Sequence, residues 1–353
     1  MKKLVILGGG YGGMRILQKL LNQLPENRQI ILVDKVPYHC FKTEFYALAA
    51  GTVADDQVRV PFPQHPQLEF INDEVTKIDI ENEKVHLLKK GTLSYDDLII
   101  ALGCEDKYHN VPGADEYTCS IQSIESTRKT YQTLCSLPKN STVAIVGAGL
   151  SGVEIASELH ESRPDLKISI FDRGNVVLSK FPEKLSKYVE EWFRDHGVQI
   201  VNNANITKVE KGVLYNHDQP IAFDCVVWTA GIRPNKVVRE MNVEKDGQDR
   251  IVLTPHHNIP GYENVYVVGD CASLPHAPSA QLAEAQGDQI VDVILKRWKN
   301  EELPELPEIK LKGILGSLGK KHGFGLVNEV PLTGRVPRLL KSGVLWLYRF
   351  HNG

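Results

Sequence analysis

Residues 4–13, LVILGGGYGG, decide the fold. Leu4 to Leu7 form a short continuous apolar run, the pattern of a parallel strand buried on both faces. Gly8, Gly10 and Gly13 follow in G-x-G-x-x-G spacing, and "MRILQKLLNQL" then places Met14, Leu17, Leu20, Leu21 and Leu24 on one helical face. A second strand, "QIILVD", ends on Asp34, about twenty residues beyond Gly13. Together these form a dinucleotide-binding βαβ unit. Its glycines allow a tight turn and close backbone approach, the helix N-terminus takes a pyrophosphate, and the acid takes ribose hydroxyls.

The pattern recurs at "TVAIVGAGLSGVEIASELHE", with Gly147, Gly149 and Gly152 after a strand and Glu154 just inside the helix; "KISIFD" then ends on Asp172. Two copies mean two dinucleotides, or one repeated unit that has lost a site. Each copy keeps its glycines and its acid, which favours two. The predicted class is therefore α/β, with two Rossmann-like dinucleotide-binding domains and a small C-terminal cap. A third segment, "ENVYVVGDCASLPHAPSAQLAEAQG", reads as a strand ending on Gly269 and Asp270, then a helix beginning near Ser279. Asp270 can accept hydrogen bonds from a ribityl chain, and the helix N-terminus can stabilise negative charge on a flavin ring.

Composition narrows the alternatives. A chain of 353 residues suggests about two domains, and 41 Lys plus Arg against 44 Asp plus Glu give no electrostatic case for nucleic acid. The six cysteines stand singly without a C-x-x-C pair, which argues for reduced thiols in a cytoplasmic setting and against a metal site. The glycine turn comes too early for a signal peptide, and no apolar run reaches the ~18 residues of a membrane span.

These motifs resemble the two-dinucleotide-domain flavoproteins of the pyridine-nucleotide oxidoreductases, and among them the type II, non-proton-pumping NADH dehydrogenases. "GGGYGG", "YHCFKTEFYALAAG", "YDDLIIALG", "VGAGLSGVEIASEL", "WTAGIRPN", "VYVVGDCA", "SAQLAEAQG" and "KGILGSLGKK" arrive in that family's order. The resemblance implies that FAD lies on Gly8, Gly10, Tyr11, Gly12, Gly13, Asp34, Lys35, Ala101, Gly103, Gly269, Asp270, Ala280 and Gln281. It implies NADH on Gly147, Gly149, Leu150, Ser151, Gly152, Glu154, Asp172 and Gly231. Glu154 and Gln281 are the implied catalytic residues: Glu154 would hold the nicotinamide carboxamide or lie beside the flavin, and Gln281 would line an acceptor channel. Asp172 favours NADH over NADPH, because a carboxylate repels a 2′-phosphate, although Arg173 follows it.

The expected domains are FAD-binding over 1–110 and 250–310, NAD(P)H-binding over 111–249, and a C-terminal segment over 311–353. The expected reaction passes a hydride from NADH to FAD and electrons on to a quinone. The alternatives are a soluble acceptor (a thiol compound, peroxide or redox protein) and a slow NADH-sensing flavoprotein. No C-x-x-x-x-C pair accompanies Cys40, which excludes a dithiol relay; by resemblance it stands where the quinone-reducing members usually carry an apolar residue, so it is read as a buried small residue rather than a single redox thiol. Ala285 stands where the family places a second glutamine, with Gln286 next. The last segment, "RVPRLLKSGVLWLYRFHNG", puts Leu339, Leu340, Val344, Leu347 and Tyr348 at helical spacing, with Arg335, Arg338, Lys341 and Arg349 around them and Trp346 nearby. Such a helix suits weak contact with the inner face of the cell membrane, or else docking on its own protein or in a homodimer.

Overall fold

The computed structural model describes residues 1–352. The chain divides into two packed units: residues 1–40, 59–105 and 233–311 form the first, and residues 41–58, 106–232 and those from 312 onward form the second.

The first unit is built on a six-stranded sheet in the order Asn258–Ile259, Tyr262–Val267, Asp97–Ile100, Lys2–Leu7, Arg28–Asp34, Leu68–Asn72. All neighbours are parallel except the edge pair Asn258–Ile259 and Tyr262–Val267. Leu4, Val5, Ile6 and Leu7 have no exposed surface, because both faces of the sheet are covered. Leu4 and Ile6 pack with Met14, Leu17 and Leu20 of the helix Tyr11–Leu21 and with Ile290 and Ile294 of the helix Ala280–Trp298. Val5 and Leu7 pack on the opposite side with Leu98, Val265 and Ile251. Each such side chain contributes roughly 1.5–3 kcal/mol by leaving water. Chain order reverses on either side of Lys2–Leu7, so the carboxyl end of this strand opens a crevice at a topological switch point. Asp97 pins the long helix to the sheet: its Oδ2 accepts from Arg28 at 3.0 Å and Trp298 at 2.8 Å, and Arg297 pairs with its Oδ1 at 3.0 Å.

The second unit repeats the plan with a parallel four-stranded sheet in the order Gln199–Val201, Lys167–Phe171, Thr142–Val146, Cys225–Trp228. The helix Leu150–Ser162 follows its central strand. Residues 41–58, which the sequence places in the first domain, pack here through the helix Phe45–Ala50. An antiparallel sheet of Gly313–Leu318, His322–Val327 and Val330–Gly334 leads into the C-terminal helix Arg335–Asn352. Among the described residues, no helix is long and apolar enough to cross a membrane.

Candidate functional site

The first glycine turn is fixed by sterics that only glycine satisfies. Gly8 has φ +99°, and a Cβ there would lie 2.4 Å from the carbonyl oxygen of Ala101. A Cβ on Gly13 would lie 2.0 Å from the carbonyl oxygen of Gly8, and one on Gly12 2.5 Å from Val268. Gly10 differs: it caps the helix from extended backbone, and a Cβ there would meet nothing within 4 Å. The helix has no side-chain cap, so its first amides are available to an anion. Open space before uncapped amides is the seat a pyrophosphate needs.

Asp34 serves the loop as well as any ligand. Its Oδ2 accepts the Gly9 N–H at 2.6 Å and its Oδ1 the Val36 N–H at 3.0 Å, which fixes the carboxylate at the strand end. Burial pushes its pKa up, and these amides pull against that. Lys35 pairs with Glu74 at 2.7 Å. His39 is a supporting residue outside the glycine and acid motifs: it is fully buried, bonds the Gly9 carbonyl oxygen through Nδ1 at 2.7 Å, and lies edge-on to Tyr11. Its position soon after Asp34 was the only signal. Burial holds it below the usual histidine value, so it stays neutral near pH 7.

The third segment completes this cradle. Ala101 continues the sheet by donating to the Leu7 carbonyl oxygen, and Gly103 takes φ +65° while its carbonyl accepts from Cys271 and Asn235. Gly269 takes φ +76° and Asp270 lies half-buried beside it. Ser279 caps the helix that begins at Ala280, accepting from Leu282 at 3.1 Å, and leaves Gln281 half-exposed in the first turn. Gln286 is turned into the core: it is fully buried, takes the Gly269 N–H on Oε1 at 2.9 Å and donates from Nε2 to the Val267 carbonyl oxygen at 2.9 Å. It positions the Gly269–Asp270 turn. Cys40 ends the short strand Tyr38–Cys40 and is half-buried.

The second turn reproduces the first. Gly147 has φ +104°, a Cβ on Gly152 would lie 1.8 Å from the Gly147 carbonyl oxygen, and Gly149 caps an uncapped helix with nothing within 4 Å of a Cβ. Leu150 and Ser151 open that helix. Asp172 accepts the Ala148 N–H at 2.6 Å and the Gly174 N–H at 2.7 Å. Thr229, which opens the "TAGIRPN" segment, braces this turn: its hydroxyl reaches the Val146 and Gly147 carbonyls at 2.9 and 3.0 Å, and Gly231 beyond it needs φ +126°. Each cradle fits one dinucleotide.

Glu154 stands at the centre of a cluster that spacing did not foresee. It is buried, and its Oε1 accepts from the ammonium of Lys341 and from the Ser317 N–H at 2.9 Å. Lys341 also donates to the Tyr46 hydroxyl at 2.8 Å, which lies 3.2 Å from Ser317 Oγ and 3.3 Å from Glu44 Oε1. Burial lowers the Lys341 pKa, but the Glu154, Tyr46 and Glu44 oxygens outweigh it and hold the amine above its ordinary value. The expected basic surface residue is thus an internal cation. The helix docks inward through Lys341, Tyr348 and Arg349, with Tyr348 edge-on to Phe41 and Arg349 over the same ring. Its apolar residues turn outward instead: Leu339 is 71 % exposed, Val344 58 %, Trp346 63 % and Phe350 72 %.

Burial pushes the Glu44 carboxyl above the ordinary value, with Lys341 opposing and Glu154 adding to the rise. A carboxyl that holds its proton more tightly when folded stabilises the fold at low pH. That contribution is withdrawn as pH rises from the ordinary carboxylate pKa through the raised one. Glu44→Gln is expected to remove that decline, worth about 1.4 kcal/mol per unit of displacement. Tm measured across about pH 4 to 8 checks it; a variant profile parallel to the wild type contradicts it.

Residues 2–287 match the family described as pyridine nucleotide-disulphide oxidoreductase. The chain is 66 % identical to the NADH dehydrogenase-like protein YutJ of Bacillus subtilis, covering 100 % of both chains. It is 28 % identical to a type II NADH:quinone oxidoreductase of Staphylococcus aureus, over 97 % of this chain and 93 % of that one. The solved NDH2 of Plasmodium falciparum in complex with NADH superposes with a TM-score of 0.85 at 19 % identity, over 99 % and 96 % of the two chains. With two dinucleotide cradles in the fold and a family match across most of the sequence, the chain belongs to the pyridine nucleotide-disulphide oxidoreductase family and is an oxidoreductase.

Proposed function

We propose that the protein is an NADH:quinone oxidoreductase that works at a membrane surface. FAD is held by the cradle of Gly8 to Gly13, Asp34 and Gly269–Asp270, and NADH by that of Gly147 to Gly152 and Asp172. When bound, FAD supplies the chemistry of accepting a hydride and passing on two electrons. The chain's own work is to seat both phosphates on helix N-termini, to orient the ribose hydroxyls at the two acids, and to exclude water. Reduction of a quinone to a quinol takes two electrons and two protons; the hydride of NADH brings both electrons and one proton, and solvent supplies the other. The buried Lys341, Glu154, Tyr46 and Glu44 form a chain of groups able to hold that proton inside the second unit. Asp172 supports NADH over NADPH.

The observation that carries the quinone over a soluble acceptor is the outward apolar face of the C-terminal helix. Leu339, Leu340, Val344, Trp346, Leu347 and Phe350 are all exposed along the one helix Arg335–Asn352. A helix anchored by its charged face and offering its apolar face outward is suited to lie in a lipid interface, where an oily acceptor dissolves. The relative named as a type II NADH:quinone oxidoreductase agrees with this reading.

Trp346→Glu with Phe350→Glu is expected to reduce binding to anionic vesicles at least tenfold, as two large apolar groups are lost and two like charges are added. Activity with a long-chain quinone in those vesicles should fall in parallel, and activity with a short-chain water-soluble quinone should stay. Equal vesicle binding by both proteins contradicts the membrane assignment; failure of both quinones to reoxidise the wild-type flavin contradicts the quinone assignment.

A further inference from the structure

Outside the two cradles and the Lys341 cluster, the second unit brings together two cysteines far apart in sequence. Cys119 and Cys225 lie with their sulfurs 3.7 Å apart, and both are free thiols. The backbone holds them there. Cys119 donates its N–H to the Val226 carbonyl oxygen at 2.7 Å and accepts the Trp228 N–H on its own carbonyl at 2.8 Å, so it is stitched beside the strand that Cys225 opens. Cys225 is 6 % exposed, whereas Cys119 is only partly buried. One thiol can meet a small oxidant and the other waits beneath it.

We propose that Cys119 and Cys225 are a peroxide-reactive dithiol that closes to a disulfide within the second unit. The Cys119 thiolate attacks hydrogen peroxide, breaking the O–O bond, forming the sulfenic acid and releasing hydroxide. The Cys225 thiol then attacks the sulfenic sulfur, forming the S–S bond; its proton and the departing hydroxyl leave as water. Peroxide takes up the two electrons that the thiols lose. Closure to a bond of about 2.05 Å asks the sulfurs to approach by roughly 1.7 Å; Cys119 pairs across from Val227 and lies diagonal to Cys225, so the isolated bridge at Cys119 moves with the closing side chains. The neighbouring Cys225 thiol, as hydrogen-bond partner, holds the Cys119 thiol below its usual value, which favours its thiolate as the attacking form. The tethered strand runs on to Thr229, whose hydroxyl bonds the glycine turn at Gly147.

The test uses the purified protein with its flavin. It is treated with hydrogen peroxide, quenched, denatured and titrated for thiols, and then mapped by peptide mass spectrometry with and without dithiothreitol. The expected result is loss of two of the six thiols and a dithiothreitol-sensitive cross-link joining the Cys119 and Cys225 peptides, two mass units lighter than the reduced pair. Cys119→Ala and Cys225→Ala, checked for unchanged flavin content, should each abolish the cross-link. Six thiols surviving treatment, a cross-link to any other cysteine, or conversion of Cys119 to sulfinate while Cys225 stays free would each overturn the proposal.

Discussion

Gly149→Asp is expected to give a folded, yellow protein that NADH scarcely bleaches, and Gly10→Asp a folded protein without colour. The contrast follows from two positions of the same design. Both glycines take extended backbone, and a Cβ on either meets nothing within 4 Å, so neither substitution strains the fold. Each puts a carboxylate where a phosphate has to approach the uncapped helix amides. Losing charge-assisted hydrogen bonds and adding a like charge costs about 3–4 kcal/mol, or roughly 10²- to 10³-fold in affinity. Flavin content and the NADH dependence of bleaching read the two losses separately. Colour lost from the Gly149 variant and kept in the Gly10 variant would reverse the cofactor assignment.

Lys341→Met is expected to lower stability by about 3–5 kcal/mol, because it leaves the Glu154 carboxylate buried without its cation. Adding Glu154→Gln should restore most of that loss: the amide oxygen still accepts the Ser317 N–H, and no charge is left behind. In flavin reoxidation by quinone, the single variant should be slowed at least tenfold, with a steeper fall as pH rises, since a methionine holds no proton. Bleaching by NADH should keep its wild-type rate in the single variant, which leaves Glu154 in place. Denaturant titration supplies the stabilities and stopped-flow absorbance the rates. A loss below about 1 kcal/mol, within the range of an exposed pair, contradicts the buried role.

The cradles were legible because backbone geometry leaves no choice there. Gly8 and Gly147 need left-handed φ, and Gly13 and Gly152 lie against a carbonyl oxygen at distances no Cβ tolerates. Those constraints are local, so they show in the residue types and their spacing. The acids at Asp34 and Asp172 were legible as positions, while their grip on their own loops through Gly9 and Ala148 took coordinates to see. The C-terminal helix was legible as a helix but not in its facing. Periodicity separates apolar from charged residues, and the usual inference sends the charged side to water. Here the deciding partner is Glu154, 187 residues away in sequence, which draws Lys341 inward and leaves Trp346 and Phe350 outside. The approach of Cys119 to Cys225, 106 residues apart, is equally a product of strand pairing that no spacing announces.

The most direct test of the central claim is anaerobic double-mixing of the purified flavoprotein, first with NADH and then with a short-chain menaquinone analogue, following flavin absorbance. The expected result is rapid bleaching, then rapid return of colour with one quinol formed per NADH consumed. Rapid bleaching followed by no return with quinone, but return with a peroxide, disulfide or redox protein, would contradict it and assign the electrons to a soluble acceptor.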